Sequence, residues 1–191
     1  MTQAHPGSSP FARVSRRTFG YHRRQVDRFL RKARADYSAS GTGRPMTSRD
    51  VRTVVFTPVH GGYEAQAVDA ELDRLEDVFA RRERDALIAS KGQDAWLRQI
   101  GRTAAVLRAR LHGPAGERFR RPGRKGSPSY AVDDVDRFCD EFLQYLEKDV
   151  PLSVDVVRRA VFRQATGEAG YEENQVDAFI DRAVELMAGI D

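Results

Sequence analysis

The stretch Gly62-Tyr63-Glu64-Ala65-Gln66-Ala67-Val68-Asp69 has three relatives elsewhere in the chain, and the expected fold follows from this repetition. In every copy a Val-Asp pair follows a tyrosine at the same distance. The motif residues of the other copies are Gly20, Tyr21, Val26 and Asp27; Tyr130, Val135 and Asp136; and Gly170, Tyr171, Val176 and Asp177. The tyrosine positions group the copies into two pairs. A repeat has to be recognised before a fold is assigned, because one unit alone often cannot bury its apolar face.

Each copy is predicted to be a turn that leads into an amphipathic helix. Glycine before the tyrosine allows the positive φ of a tight turn, and Ser129 replaces it in the third copy. Apolar residues then recur at helical spacing, as in Val68, Leu72, Leu75 and Phe79. The aspartate after each valine would lie early in its helix, where the helix dipole favours negative charge.

Two copies carry a further signal upstream of the motif. Thr47 and Ser153 are predicted helix N-caps, and each is followed by a Val-Arg pair and then by a phenylalanine. These copies are therefore predicted to contain a short helix, a loop, Gly-Tyr and a longer helix. No segment shows a clear strand alternation.

The order Thr or Ser, Val-Arg, Phe, Gly-Tyr, Val-Asp and Phe or Leu resembles the N-terminal domain of DivIVA-type proteins. These are bacterial cytoplasmic scaffolds of division septa and cell poles. The presence of several copies resembles the DivIVA-repeat proteins of high-GC Gram-positive bacteria. The resemblance covers the motif regions and is best in the second and fourth copies.

The resemblance implies membrane binding through a turn that exposes a phenylalanine and an arginine beside Gly-Tyr. It also implies a coiled-coil dimer downstream of that turn. Only the first copy offers a comparable turn, so the candidates for membrane contact are Arg16, Arg17, Phe19, Arg23 and Arg24. The second copy has Val59-His60-Gly61 and the fourth has Glu168-Ala169 at this place, and neither is an apolar and basic tip.

The predicted fold class is mainly α: turn-plus-helix repeats packed as a helical bundle, with one αα-hairpin and a short coiled-coil segment. The helix after Tyr63 carries a heptad seam, and the helix after Asp94 is expected to pack back on it as the hairpin. The candidates for helix pairing are Leu72, Leu75, Phe79, Trp96, Ile100 and Leu107. Residues 1–10 are expected to be a tail, 11–112 a first half with the hairpin, 113–129 a basic linker rich in Gly and Pro, and 130–191 a second half.

Composition limits the classes of function. Apolar residues make up 40% of the 191 residues and charged residues 31%, which is typical of a globular protein. One cysteine, the lack of a signal sequence and the lack of a long apolar run favour a cytoplasmic protein. The four histidines are scattered, and no nucleotide-binding or nucleophile motif is present. We therefore expect no enzyme, no cofactor and no metal.

Charge is distributed unevenly. From Met1 to Pro45 there are ten basic residues against two acidic ones, and from Ala131 to Asp191 there are six against fifteen. This polarity could be neutralised internally, drive head-to-tail association, or steer the basic end to an anionic surface. It could also belong to solvated helix faces alone.

The expected function is a non-enzymatic DivIVA-like scaffold or adaptor in bacterial cell division or polar growth. Its partners would be other proteins of the division or envelope machinery, a further copy of itself, and the anionic inner membrane. In one hypothesis the two halves fold on each other as an internal pseudo-dimer, and the apolar stripes of copies two and four contact each other or the helix that contains Trp96. The alternatives are a soluble protein-binding module, or a nucleic-acid-binding protein that uses the arginine-rich segments 13–24 and 118–124.

Overall fold

The computed structural model describes residues 10–38, 44–124 and 126–190. Within these residues the chain is mainly helical, with seven α-helices and two small antiparallel sheets, as the sequence predicts at this level. The chain forms two compact units, Met1–Glu83 and Arg84–Asp191. Nearly all of the predicted N-terminal tail, and part of the Gly/Ser-rich stretch before Pro45, lie outside the described residues.

The two units share one order of elements. The first contains β1 (Phe19–Tyr21), α1 (Arg23–Ser38), α2 (Ser48–Arg52), β2 (Pro58–His60) and most of α3 (Ala65–Lys91). The second begins with the end of α3 and with α4 (Gln93–Leu111). It then repeats the order with β3 (Ser129–Ala131), α5 (Val132–Lys148), α6 (Val154–Arg158), β4 (Gly170–Glu172) and α7 (Glu173–Ile190). Both units therefore contain a strand, a helix, a short helix, a strand and a helix in this order, and in the second unit α4 precedes the series.

The Gly-Tyr motifs form short strands or isolated bridges, so the prediction that they are only turns is wrong. β1 pairs with β2, with Gly20 opposite Val59, and β3 pairs with β4, with Tyr130 opposite Tyr171. The backbones of Tyr21 and Tyr63 also exchange two N–H···O bonds of 2.9 Å. Three residues are too few to show an alternation in the sequence, and these strands exist only because another copy completes their hydrogen bonds.

The motif glycines allow the paired copies to approach closely. A Cβ atom added to Gly62 would lie 2.5 Å from the carbonyl oxygen of Tyr21, and one added to Gly170 would lie 2.5 Å from Oγ of Ser129. Gly20 meets the carbonyl oxygen of Tyr63 in the same way. The positive φ that the sequence suggested is not adopted at these glycines, so their role is the removal of a side chain between two backbones.

The Tyr and Asp of the motif connect the copies reciprocally. Tyr63 of copy two donates its hydroxyl to Asp27 of copy one at 3.0 Å, and Tyr21 of copy one is hydrogen-bonded to Asp69 of copy two. In the second unit, Tyr171 donates to Asp136 at 3.1 Å, and Tyr130 is hydrogen-bonded to Asp177. The aspartates thus serve as acceptors for a tyrosine of the paired copy. The sequence suggests only a favourable interaction of these aspartates with the helix dipole, and it does not predict their hydrogen bonds to tyrosine.

The short helices begin where the sequence predicts. The Thr47 side chain accepts a hydrogen bond from the backbone of Asp50, whose carboxylate accepts from Thr47 in return, so that a capping box starts α2. Ser153 caps α6 through the N–H of Asp155. One turn later, Val51 and Val157 are both fully buried. The short helices therefore anchor the connection between the two copies of each unit.

Helix α3 holds α2 in place through two carboxylates. Glu76 is 2% exposed and accepts a hydrogen bond from Nε of Arg52 at 2.7 Å. Glu83 accepts from the backbone N–H of Ser48 at 2.7 Å and from its hydroxyl at 3.0 Å. Leu72, Leu75 and Phe79 of the predicted seam pack inside this unit, with Phe29, Met46 and Val51 among their neighbours.

Helix α4 belongs to the second unit. Its residues Ala104, Leu107 and Leu111 are buried in one cluster with α5 and α7, and Ile100 packs against the same cluster. The sequence instead predicted an αα-hairpin with the preceding helix and a first half that ended at residue 112. The stripe of copy four, including Phe179, packs in this same cluster, so its partners include α4, the helix that contains Trp96. The apolar stripes were recognised correctly, but their spacing could not identify the partners.

The basic segment before the third copy is not a plain linker. Phe119 is 4% exposed and packs edge-to-face on Tyr171, with ring centroids 5.2 Å apart. Phe11 contacts Tyr63 in the same manner in the first unit, at 5.4 Å. The second half therefore begins structurally before residue 130, because an aromatic residue of this segment completes the packing around the motif tyrosine.

Candidate functional site

A rigid tip precedes the first copy of the motif. Ser15 to Thr18 form a turn in which the N–H of Thr18 donates to the carbonyl of Ser15 at 3.0 Å. The N–H of Gly61 donates to the carbonyl of Thr18 at 3.2 Å, and Gly61 has a φ of 66°, which favours glycine. These bonds join the turn to the end of β2, so that Phe19 and His60 lie opposite each other.

Phe19 is presented to solvent at this tip. Its side chain is 61% exposed, whereas the other phenylalanines in the described part of the chain are buried or half-buried. The ring of His60 stacks on it, with the centroids 3.9 Å apart and the planes 27° from parallel. An aromatic ring that is largely exposed buries little apolar area in this fold, and it is available for an external contact.

The predicted membrane-contact arginines flank Phe19 in the sequence. Arg16 and Arg17 lie in the turn, and Arg23 and Arg24 begin α1 directly after β1. All four arginines are exposed, and none forms an ion pair with a described residue. His60 belongs to the same tip. The sequence alone did not assign it there, because the pairing of β1 with β2 was not recognised.

Helix α1 extends the basic surface. Its inner side buries Val26, Leu30 and Ala33. Its outer side exposes six cations that form no ion pair within the described residues: Arg23, Arg24, Arg28, Arg31, Lys32 and Arg34. The first turn contains two arginines and no acid, which is opposite to what the helix dipole favours. This composition lowers the intrinsic stability of the helix, so it is not explained by folding.

The second unit provides an internal comparison. Aligned on Val26-Asp27 and Val135-Asp136, the positions of Arg24, Arg31 and Lys32 are taken by Asp133, Asp140 and Glu141. Pro128 stands before the third copy where Phe19 stands before the first, and the connection to β4 contains the exposed Glu168. The same fold therefore forms with an acidic α5 and without an aromatic tip. The basic helix face and the exposed aromatic tip are therefore found in the first unit, while the second unit carries basic residues in the segment before the third copy.

A buried arginine precedes the third copy in the second unit. Arg118 donates to the carboxylate of Asp140 at 2.6 Å and to the backbone carbonyl of Asp136 at 2.9 Å. Its backbone N–H donates to the hydroxyl of Tyr171 at 3.2 Å. Burial raises the pKa of the nearby Cys139 thiol to about 12, so this thiol remains protonated at neutral pH. The cluster stabilises the joint between copies three and four and offers no activated nucleophile.

The helix-pairing candidates are distributed over both units. Leu72, Leu75 and Phe79 pack in the first unit, and Ile100 and Leu107 in the second. Trp96 is half-buried, and its indole N–H has no acceptor among the described residues. These residues are used in packing and do not form one continuous surface.

The described residues include no group of three His, Cys, Asp or Glu side chains that could hold a metal ion. None of the helices in the described part of the chain is both long enough and apolar enough to span a bilayer. Comparison with protein-family models, with curated proteins and with solved structures gives no match. The assignment of a function therefore depends on the surface of the first unit.

Proposed function

We propose that this chain is a non-enzymatic, DivIVA-like scaffold or adaptor of bacterial cell division or polar growth, and that its first unit contacts the anionic inner membrane. The observation that carries the proposal is the exposed Phe19 at a hydrogen-bonded tip, with the exposed Arg16 and Arg17 in the turn that precedes it. An apolar side chain among basic ones fits the boundary between lipid headgroups and acyl chains. The second unit, which lacks such a tip, would remain available for protein partners.

The expected affinity is modest. A basic residue near an anionic bilayer contributes about 1 kcal/mol, and complete burial of one phenylalanine contributes about 1.5–3 kcal/mol. A single tip with a few arginines therefore gives reversible attachment that weakens as salt screens the charges. Self-association would strengthen the attachment, because each further tip binds at high effective concentration.

Co-sedimentation with vesicles tests the proposal. Phosphatidylglycerol vesicles should retain the full chain, phosphatidylcholine vesicles should not, and Phe19→Ser should weaken retention. Val161→Ser is the matched control, because Val161 is 91% exposed and lies in the second unit. Absence of retention on anionic vesicles at low salt would reject the membrane role. Equal weakening by both substitutions would show that loss of any exposed apolar side chain is sufficient.

One observation favours the alternative of a soluble protein-binding module. Val55 is 88% exposed and Val161 is 91% exposed, and each directly precedes a core phenylalanine at the equivalent place of its unit. A protein partner could use these two matching positions. Partner capture that is lost with Val55→Ser and Val161→Ser, in a chain that does not bind vesicles, would favour this alternative.

A further inference from the structure

We infer that the outer face of α1 is a second lipid-binding surface, specific for bilayers rich in anionic phosphate headgroups, and that it acts beside the Phe19 tip. The inference rests on the proposed membrane role and names the lipid class. We call this surface the α1 face and define it by the exposed cations of the helix: Arg23, Arg24, Arg28, Arg31, Lys32 and Arg34.

The α1 face keeps most of its charge uncompensated. Hydrogen bonds from Thr47, with help from Lys32, lower the pKa of Asp50, and the five arginines have no described carboxylate within ion-pair distance. None of the six cations forms an ion pair with a described residue, although ion pairs are common elsewhere in the structure, as between Arg163 and Asp134. The helix contains 16 residues and is therefore about 24 Å long, which places several headgroups within reach of its side chains. Arginine and lysine bind phosphate oxygens through charge-assisted hydrogen bonds.

Comparison of the two units separates this charge from the requirements of the fold. Arg31 and Lys32 correspond to Asp140 and Glu141 in α5, which is a helix of the same kind in a unit with the same order of elements. Positive charge at these positions is therefore not needed to build the unit. The two arginines in the first turn of α1 oppose the helix dipole as well. An external anionic partner would account for both features.

The character of the face favours a bilayer over a protein. Protein interfaces usually depend on buried apolar anchors. Helix α1 exposes one large apolar side chain, Tyr37 near its C-terminus, and this ring packs edge-to-face on Phe79 of its own unit. The face is also continuous along the chain with the tip, because β1 leads directly into α1. A broad cationic surface next to one exposed aromatic ring matches a planar anionic bilayer. It matches a protein partner less well, because a protein partner usually needs several apolar anchors.

The two contacts should respond differently to conditions. The apolar side of α1 is buried in the unit, so the α1 face interacts with lipid through charge alone. Its contribution should therefore rise steeply with the fraction of anionic lipid and fall with salt. The contribution of Phe19 is mainly apolar and should depend on salt only weakly.

The test uses the triple variant Arg28→Gln, Arg31→Gln and Lys32→Gln in the full chain. Glutamine keeps the helix propensity, and the three side chains are exposed, so the melting temperature should not change. On phosphatidylglycerol vesicles we expect an affinity roughly a hundredfold lower, at about fivefold per charge, and a shallower dependence on salt. Phe19→Ser should lower the affinity without changing the slope of that dependence.

The matched control removes three cations elsewhere, by Lys91→Gln, Arg98→Gln and Arg102→Gln in the second unit, where all three are exposed. An equal loss of affinity in this control would show an effect of net charge and overturn the inference. Unchanged binding by the α1 triple variant would overturn it too, while binding that depends on Phe19 would leave the proposed function intact. If the triple variant loses retention on DNA but not on vesicles, the α1 face is a nucleic-acid surface instead.

Discussion

The hydroxyl of Tyr63 donates a hydrogen bond to Asp27 at 3.0 Å, although the two residues belong to different copies of the motif. Tyr21, in the copy that supplies Asp27, is in turn hydrogen-bonded to Asp69 of the other copy. The same reciprocal arrangement connects copies three and four. It gives a physical reason for the constant distance between Tyr and Val-Asp, because each copy must present both a donor and an acceptor to its partner.

Tyr63→Phe should destabilise the first unit. The tyrosine is 2% exposed, so its loss as a donor leaves Asp27 without this partner in a half-buried place. Loss of such a hydrogen bond costs about 1–3 kcal/mol. Urea denaturation of Tyr63→Phe, Asp27→Asn and the double variant measures the coupling. Tyr37→Phe, at a tyrosine that is 53% exposed, is the control and should be near neutral. Additive single effects would contradict a direct interaction.

Gly62→Ala should lower the stability of the first unit, although the substitution adds only one methyl group. The added Cβ would lie 2.5 Å from the carbonyl oxygen of Tyr21, and only backbone atoms could move to relieve the clash. Overpacking of this kind costs about 1–3 kcal/mol. Gly101→Ala is the matched control, since Gly101 lies inside α4 with nothing within 4 Å of the new methyl group. There the helix should gain about 0.5–1 kcal/mol. Thermal denaturation should therefore shift in opposite directions for the two variants.

Local signals in the sequence were sufficient for several features. Thr47 and Ser153 were recognised as caps because capping depends on a few neighbouring residues. The helix after each of the four motifs was also predicted, because the apolar spacing is regular. The exposed cations of the tip were named because they form one basic stretch of sequence.

Features that depend on distant residues were missed. The strand role of Gly-Tyr depends on a partner copy some forty residues away, and no local pattern reports it. His60 was not assigned to the tip for the same reason. The burial of Phe119 was hidden in a segment whose Gly, Pro and Arg content is typical of a linker. The partner of α4 could not be identified, because an apolar stripe shows that a helix is packed without showing against which element.

Glu76→Val should strongly destabilise the first unit, although valine occupies the equivalent position, Val184, in the second. The substitution leaves Arg52 buried without the carboxylate that it contacts at 2.7 Å. Breaking a buried ion pair from one side costs about 3–5 kcal/mol.

In the second unit, Arg158 is paired instead with Asp155 at 2.8 Å, and Arg49 stands at the position of Asp155 in the first unit. Combining Glu76→Val with Arg49→Asp should therefore recover much of the loss. Calorimetry of the single and double variants checks this. A double variant that is no more stable than Glu76→Val alone would show that the arrangement cannot be transferred between units.

High pH should weaken the second unit through its motif tyrosines. Burial, with nearby Asp177, raises the pKa of Tyr130 to about 12, and burial raises that of Tyr171 to about 12 also. An unfolded tyrosine has a pKa near 10, so between pH of about 10 and 12 the folded state holds protons that the unfolded state has released. The stabilisation is complete below pH 10 and is lost as the pH rises through this window. The melting temperature of the wild type should therefore fall steeply at alkaline pH, and tyrosinate absorbance should rise at the same time.

Tyr130→Phe and Tyr171→Phe should be less stable than the wild type at neutral pH, because each lacks a hydrogen bond to an aspartate. Their melting temperatures should fall less steeply as the pH rises. Parallel curves for the wild type and both variants would mean that these hydroxyls do not control the alkaline transition.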